Sequence, residues 1–220
     1  MYLVKTKNKK IIAEIHFLTK NKKINNNSVV KLISSCLLKC YSEIPLLNKK
    51  IAIYYTEDSF IKDKMKGVYG HAWDNVVNLQ INPKKGWKDW LVNIIAHEYS
   101  HLAVLDVRKW EILADSLIIE GIAENFREEI IGGKKAPWTQ ALTRDESVKL
   151  LKKIKNKLKS TSTQIYNSLF FGSKDFKMWS GYTLGYFIVR NFRKKHPKMK
   201  WGDIIKMNSL ELLKKSGFGS

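Results

Sequence analysis

The chain has 220 residues, 44% of them hydrophobic and 27% charged, which allows a sizeable core and excludes a disordered polyampholyte. No run of about eighteen apolar residues occurs, so no transmembrane helix is expected, and residues 1–7 lack the apolar region of a signal peptide, so a cytoplasmic chain is expected. The net charge of +20 suits acidic partners or an anionic membrane surface through generic attraction, but no helix-turn-helix, zinc-finger or RNP pattern predicts specific nucleic-acid recognition.

In chain order, Ile11, Ile12, Ile15 and Phe17 predict a strand over residues 11–18, and residues 20–27 a polar turn. A helix over 28–41 carries Cys36 and Cys40 one turn apart, a geometry unsuited to a disulfide and fitting packed core thiols. Residues 50–55 read as a second strand. Val77, Leu79 and Ile81 alternate with Asn78 and Gln80 as a third, stopped by Pro83. Apolar positions 90, 91, 94, 95, 102 and 105 predict a helix beginning near Asp89, as N-cap or first-turn acid, and ending at the polar stretch 106–109. A second apolar helix runs from about Trp110 to Phe126, and a short connection makes the two antiparallel neighbours. Gly132, Gly133 and Pro137 mark a loop. Helices are then expected over 145–158, 163–171, 179–192 and 201–215. The lysines of 149–159 form the polar side of an amphipathic helix, read as a solvated face, with a membrane-surface helix as the sharper alternative.

The chemistry concentrates in the first of the two apolar helices. His97-Glu98-Tyr99-Ser100-His101 fits H-E-x-x-H. Positions i and i+4 lie about 40° apart around a helix, so both imidazoles can hold one ion. Glu98 lies about 100° further round, where it can reach a water rather than the metal. After eighteen intervening residues comes Glu120-Gly121-Ile122-Ala123-Glu124. Its two acids share a helix face and supply the third ligand a catalytic zinc site needs, with the other free to accept a ring N–H from a ligand histidine. Spacing alone leaves the roles of Glu120 and Glu124 interchangeable. Burying unpaired His and Glu in so apolar a helix would be costly, which favours a metal site over chance. One zinc ion per chain is expected. This segment is also distinct in charge: residues 89–130 carry 9 acidic and 3 basic side chains, against strongly basic flanks.

This pattern resembles the gluzincin metallopeptidases. Ile119-Glu120-Gly121-Ile122-Ala123 is similar to the N-E-G-F-A stretch that holds the third ligand in aminopeptidase N-like enzymes. The resemblance implies that Glu120 joins His97 and His101 as ligand, and that Glu124 orients the first histidine. A closer resemblance is to a bacterial family of predicted zinc-dependent proteases whose members show H-E-Y-x-H, E-G-x-A-E and G-Y-x-x-G. The last is met here by Gly181-Tyr182-Thr183-Leu184-Gly185, and the likeness runs over roughly residues 50–195. It implies an α+β, zincin-like fold: a small N-terminal sheet packed on the active-site helix, and a mostly helical C-terminal half. It also implies an edge strand that pairs with extended substrate, for which residues 76–81 are the candidate. The G-x-M-E-N segment that grips a free amine in the aminopeptidases is missing. Gly70-His71-Ala72-Trp73-Asp74-Asn75 stands in a comparable place, so an endopeptidase is expected.

An oxyanion donor completes such a site. Tyr182 is the first candidate, between glycines that would let its helix approach another backbone closely, and His71, in a glycine-containing turn, is the second. The expectation is a single metallopeptidase domain over 1–220, with a strand-rich part at 1–88, zinc-binding helices at 89–130 and a helical part at 131–220. It would be a zinc peptidase with Glu98 as general base, acting on peptide or protein substrates. The competing reading is a non-catalytic zinc-binding regulatory or scaffold protein that uses its basic surface to bind a partner. The intact Glu98 argues against it, because a structural site needs no base.

Overall fold

The structure, a computed structural model, describes residues 1–21 and 24–219; Lys22 and Lys23, in the expected polar turn, lie outside the described residues. The fold is α+β, a five-stranded mixed sheet followed by a mostly helical half. The chain divides into two compact units, Met1–Asp106 and Val107–Ser220. Among the described residues no helix is long and apolar enough to cross a membrane.

The first unit contains β1 (Tyr2–Lys5), β2 (Ile11–Phe17), α1 (Asn26–Glu43), β3 (Lys49–Tyr55), α2 (Ser59–Asp63), β4 (Val68–Trp73), β5 (Val76–Ile81) and α3 (Trp87–Leu105). The sheet order is β1-β2-β3-β5-β4; β2, β3 and β5 run parallel, and β1 and β4 are antiparallel to their neighbours. Strand alternation sorts the side chains. Ile15, Ile51 and Val77 sit in one register row, Ile53 and Leu79 in another, all buried. Helices α1 and α3 pack against each other and the sheet. Leu3, Lys50, Tyr54, Tyr69, His71 and Trp73 are exposed, Trp73 to 70%. Helix α1 starts at an Asn25 cap whose side chain accepts from Ser28 N, and both cysteines on it are free thiols in the core. Cys36 Sγ donates to the Val92 carbonyl, and the Cys36 contact together with burial pushes the Cys40 thiol well above its usual range.

Strand β4 corrects the expected edge. Residues 76–81 are the candidate edge from sequence, with an ordinary interior strand as the alternative; the structure has the interior strand, since β5 is flanked by β3 and β4, and β4 is outermost on that side. The cause is a two-residue hairpin, Asp74-Asn75, with Asp74 at φ +52°, which folds Val68–Trp73 back along β5. His71 is therefore a strand residue opposite Asn78 rather than part of a turn. Asn75 also accepts from the Lys49 ammonium at 2.8 Å, and both Asp106 oxygens receive the same ammonium at 2.8 Å. Lys49 thereby ties the start of β3 and the hairpin tip to the C-cap of α3.

The second unit contains α4 (Leu113–Ile131), a 3-10 turn at Pro137–Thr139, α5 (Arg144–Ile154) tightening into a 3-10 turn at Lys155–Lys157, α6 (Thr163–Phe171), α7 (Ser180–Lys195), α8 (Trp201–Ile204) and α9 (Ser209–Ser216). The expected helix over 201–215 is two helices, broken where the Asn208 side chain accepts from Leu210 N and Glu211 N and starts a new one. Helices α4 and α7 form the centre of this unit. They meet through bare backbone: a Cβ on Gly121 would lie 2.2 Å from the Gly185 carbonyl oxygen, and one on Gly185 would lie 2.0 Å from that of Leu117. The close approach expected of the G-Y-x-x-G helix is thus made by Gly185, whereas a Cβ on Gly181 would meet the Phe170 ring. Arg108 links the start and end of the unit, pairing with Asp115 at 2.9 Å and donating to the Met207 carbonyl and the Ser209 hydroxyl. The exposed lysines at 149, 152 and 153 line the outside of α5, whose Leu150, Leu151 and Ile154 are buried.

Candidate metal centre

Helix α3 starts at Gly86, in the left-handed region, and carries Asp89 in its first turn. It is buried on nearly every side, including His97, Glu98, Tyr99, Ser100 and His101. A helix buried all round must satisfy whatever polar groups it carries. Tyr99 is satisfied locally: its hydroxyl donates to the Ile44 carbonyl at 2.5 Å and accepts from Leu46 N at 3.1 Å, which fixes the helix to the segment that follows α1. Burial pushes the Tyr99 phenol far above its ordinary value, so it stays a neutral donor.

One helical turn brings His97 and His101 together. Their Nε2 atoms are 2.9 Å apart, with ring centroids at 4.6 Å and planes at 84°. Two nitrogens on one tetrahedral zinc, at ~2.0–2.1 Å each, stand about 3.3 Å apart, so the pair needs only a small adjustment to share an ion. Ligand atoms of His97, His101 and Glu120 all lie within 4.8 Å of one another, and all three residues are buried. Two imidazoles and one carboxylate are the donor set that suits a zinc ion with a remaining open position. A buried carboxylate beside two imidazoles is costly unless a cation compensates it, so the residues present fit the metal.

Glu98 is buried beside β4: a Cβ on Gly70 would fall 2.6 Å from Glu98 Cγ and 2.8 Å from its Oε1. His71 follows in the strand, so its side chain projects from the opposite face of the sheet and is exposed to solvent. The structure therefore sets His71 apart from the H-E-x-x-H helix. Glu124, fully buried on α4, accepts from Arg127 Nε at 3.0 Å and from Trp138 Nε1 at 2.7 Å. Tyr182 is half-buried on α7 with its ring edge-on to Phe170 at 4.9 Å. Sequence reasoning missed Gly70, Arg127 and Trp138. Gly70 sits in an interrupted apolar run that gave no strand signal. Arg127 is i+3 from Glu124, a spacing that could have revealed it, whereas Trp138 reaches Glu124 through a loop that no local pattern announces.

Residues 29–214 match the family described as Predicted Zn-dependent protease (DUF2268). The chain is also 24% identical over 135 residues to the uncharacterized protein YjfC of Bacillus subtilis (strain 168). That similarity takes in 54% of this chain and 45% of YjfC, so the chain spans about half the length of the curated relative it matches.

Proposed function

Because the chain belongs to the family of predicted Zn-dependent proteases, we propose that it is a zinc endopeptidase, with His97, His101 and Glu120 as ligands and Glu98 as general base. The observation that carries this reading is the buried His97-His101-Glu120 set together with Glu98, the residue after His97 on α3, whose carboxylate is held beside the sheet edge. Zinc bound there would polarise the scissile carbonyl and make a water acidic enough to attack it near neutral pH. Glu98 takes the proton of the attacking water and passes it to the leaving nitrogen. Glu124, held by Arg127 and Trp138, orients a ligand histidine, as an outer carboxylate does in zinc sites. Tyr182 donates to the oxyanion of the tetrahedral intermediate. The outermost strand, β4, is the edge along which an extended peptide would pair, which supports cleavage within a chain rather than at its end.

Elemental analysis of chelator-free protein tests the metal, with one zinc per chain expected. Peptides blocked at both ends test the activity. Glu98→Gln should keep fold and zinc and lose at least ~10²-fold in turnover, because an amide cannot accept the water's proton. Tyr182→Phe should lower kcat with KM and zinc unchanged. Unaltered turnover in Glu98→Gln would rule out the mechanism.

A further inference from the structure

We propose that Gly70 is the positioning residue for Glu98: the strand leaves out a side chain at this one point so that the carboxylate can lie against its backbone. This rests on the reading of Glu98 as the general base. A Cβ at position 70 would lie 2.6 Å from Glu98 Cγ, 2.8 Å from Glu98 Oε1 and 2.6 Å from Ile94 Cγ2, whereas ordinary contacts begin near 3.4 Å. Glu98 and Ile94 are successive members of the α3 face turned towards β4, one turn apart, and both are buried.

Backbone conformation does not require glycine here. Gly70 is absent from the residues with positive φ and sits in regular antiparallel register opposite Leu79. Glycine in a strand interior loses packing and conformational entropy, and one usual reason for tolerating it is close approach of another group. The approaching group here is the carboxylate-bearing side chain. Ala72, two residues on and on the same side of β4, keeps its Cβ and is buried, so the requirement is specific to position 70.

A methyl group at position 70 would push Glu98 aside by about 0.8 Å or force β4 off the helix by as much. A displacement near 1 Å of a positioned group can cost about 10²-fold in rate. The substrate would still bind and the histidines, on another face of α3, would still hold metal. Gly70→Ala should therefore lower kcat by about 10–100-fold, with KM within about threefold and one zinc retained.

The test joins a stability cycle to kinetics on the zinc-loaded full chain. Gly70→Ala is made in three backgrounds: the parent, Glu98→Ala and Ile94→Ala. The fall in urea midpoint caused by Gly70→Ala should be largest in the parent and shrink in both truncated backgrounds, since each removes an atom the methyl would strike. Should Gly70→Ala fail to fold in the parent, Glu98→Ala should restore folding. Equal destabilisation in the parent and Glu98→Ala backgrounds would overturn the proposal. So would coupling in the cycle with parental kcat in Gly70→Ala, because the glycine would then serve packing alone. Coupling in the cycle with no peptidase activity in the parent would confirm the contact and overturn the peptidase reading instead.

Discussion

Replacing Gly185 by alanine sets two physical effects against each other. Helix propensity alone favours alanine in the interior of α7 by about 0.8–1.0 kcal/mol. The structure predicts the opposite sign. The new Cβ would stand 2.0 Å from the Leu117 carbonyl oxygen, 2.9 Å from the Leu117 carbonyl carbon and 3.3 Å from Gly121 N. These are backbone atoms of α4 and cannot rotate away, so the helices must part by about 1.4 Å to reach ordinary contact. That opening loosens Leu117, Ile118, Ile122, Leu184, Ile188 and Val189, all fully buried. Dispersion contacts lose a quarter to a half of their depth over gaps of about 0.5–1 Å, and overpacking of this kind costs roughly 1–3 kcal/mol or more. Net of propensity, the upper part of that range leaves a loss of about 1–2 kcal/mol, or a fall in Tm of roughly 2–8 °C for a chain of this size. Urea unfolding followed by circular dichroism at 25 °C would read it as a lower midpoint at unchanged slope. Gly202 on α8 is the control, since a Cβ there would meet nothing within 4 Å, and Gly202→Ala should be neutral or slightly stabilising. A Gly185→Ala protein as stable as the parent would refute the close-packing argument.

Three other outcomes follow from the geometry. Tyr99→Phe removes a hydroxyl that serves both Ile44 and Leu46 and should cost about 1–3 kcal/mol in denaturant titration without altering zinc content; an unchanged midpoint would mean that the anchor contributes nothing. Competitive zinc titration should show that Glu120→Ala abolishes stable binding, while Glu124→Ala weakens it by roughly 10–100-fold and also destabilises the fold by removing the carboxylate facing buried Arg127; the reverse order would exchange ligand and orienter. Asp115 should steepen the loss of stability in acid. Burial alone would raise its pKa, but the Ser209 hydroxyl, the Ile112 and Glu111 amides and Arg108 hold it below its ordinary value. A depressed carboxyl contributes fully above the unfolded value of ~3.9, and that contribution is lost as pH falls through the folded value. Asp115→Asn should therefore flatten the fall of urea midpoints below about pH 4 relative to the parent, and parallel curves would contradict this.

The elements with strong periodicity were legible from residues alone. The 11–18 and 50–55 strands, the H-E-x-x-H helix and the α4 pattern all appear within a few residues of their expected limits, because each buries a continuous apolar face. Strand β4 was not legible: Val68-Tyr69-Gly70-His71-Ala72-Trp73 contains a glycine that serves a contact with α3, not the strand's own propensity. Missing β4 moved the sheet's edge to the wrong strand. The break between α8 and α9 was hidden for a different reason, since the apolar spacing continues across Asn208 while its side chain caps a new helix. At the candidate site, i, i+4 spacing made the histidine pair visible. The partners of Glu124 differ: Arg127 stands at the legible i, i+3 spacing on the same helix, whereas Trp138 arrives by a tertiary contact that no local pattern announces.

Trp73 gives β4 an intrinsic optical signal. It is the most exposed of the large hydrophobic side chains apart from Met1, whereas Trp87, Trp138 and Trp201 are buried. Collisional quenchers such as iodide must reach an indole to extinguish its emission, so the quenchable part of the fluorescence comes disproportionately from the outermost strand. That strand also carries Gly70, three residues before Trp73. A peptide lying along it would shade the ring, and the protein would report occupancy of the edge in real time without a label or a cleaved bond.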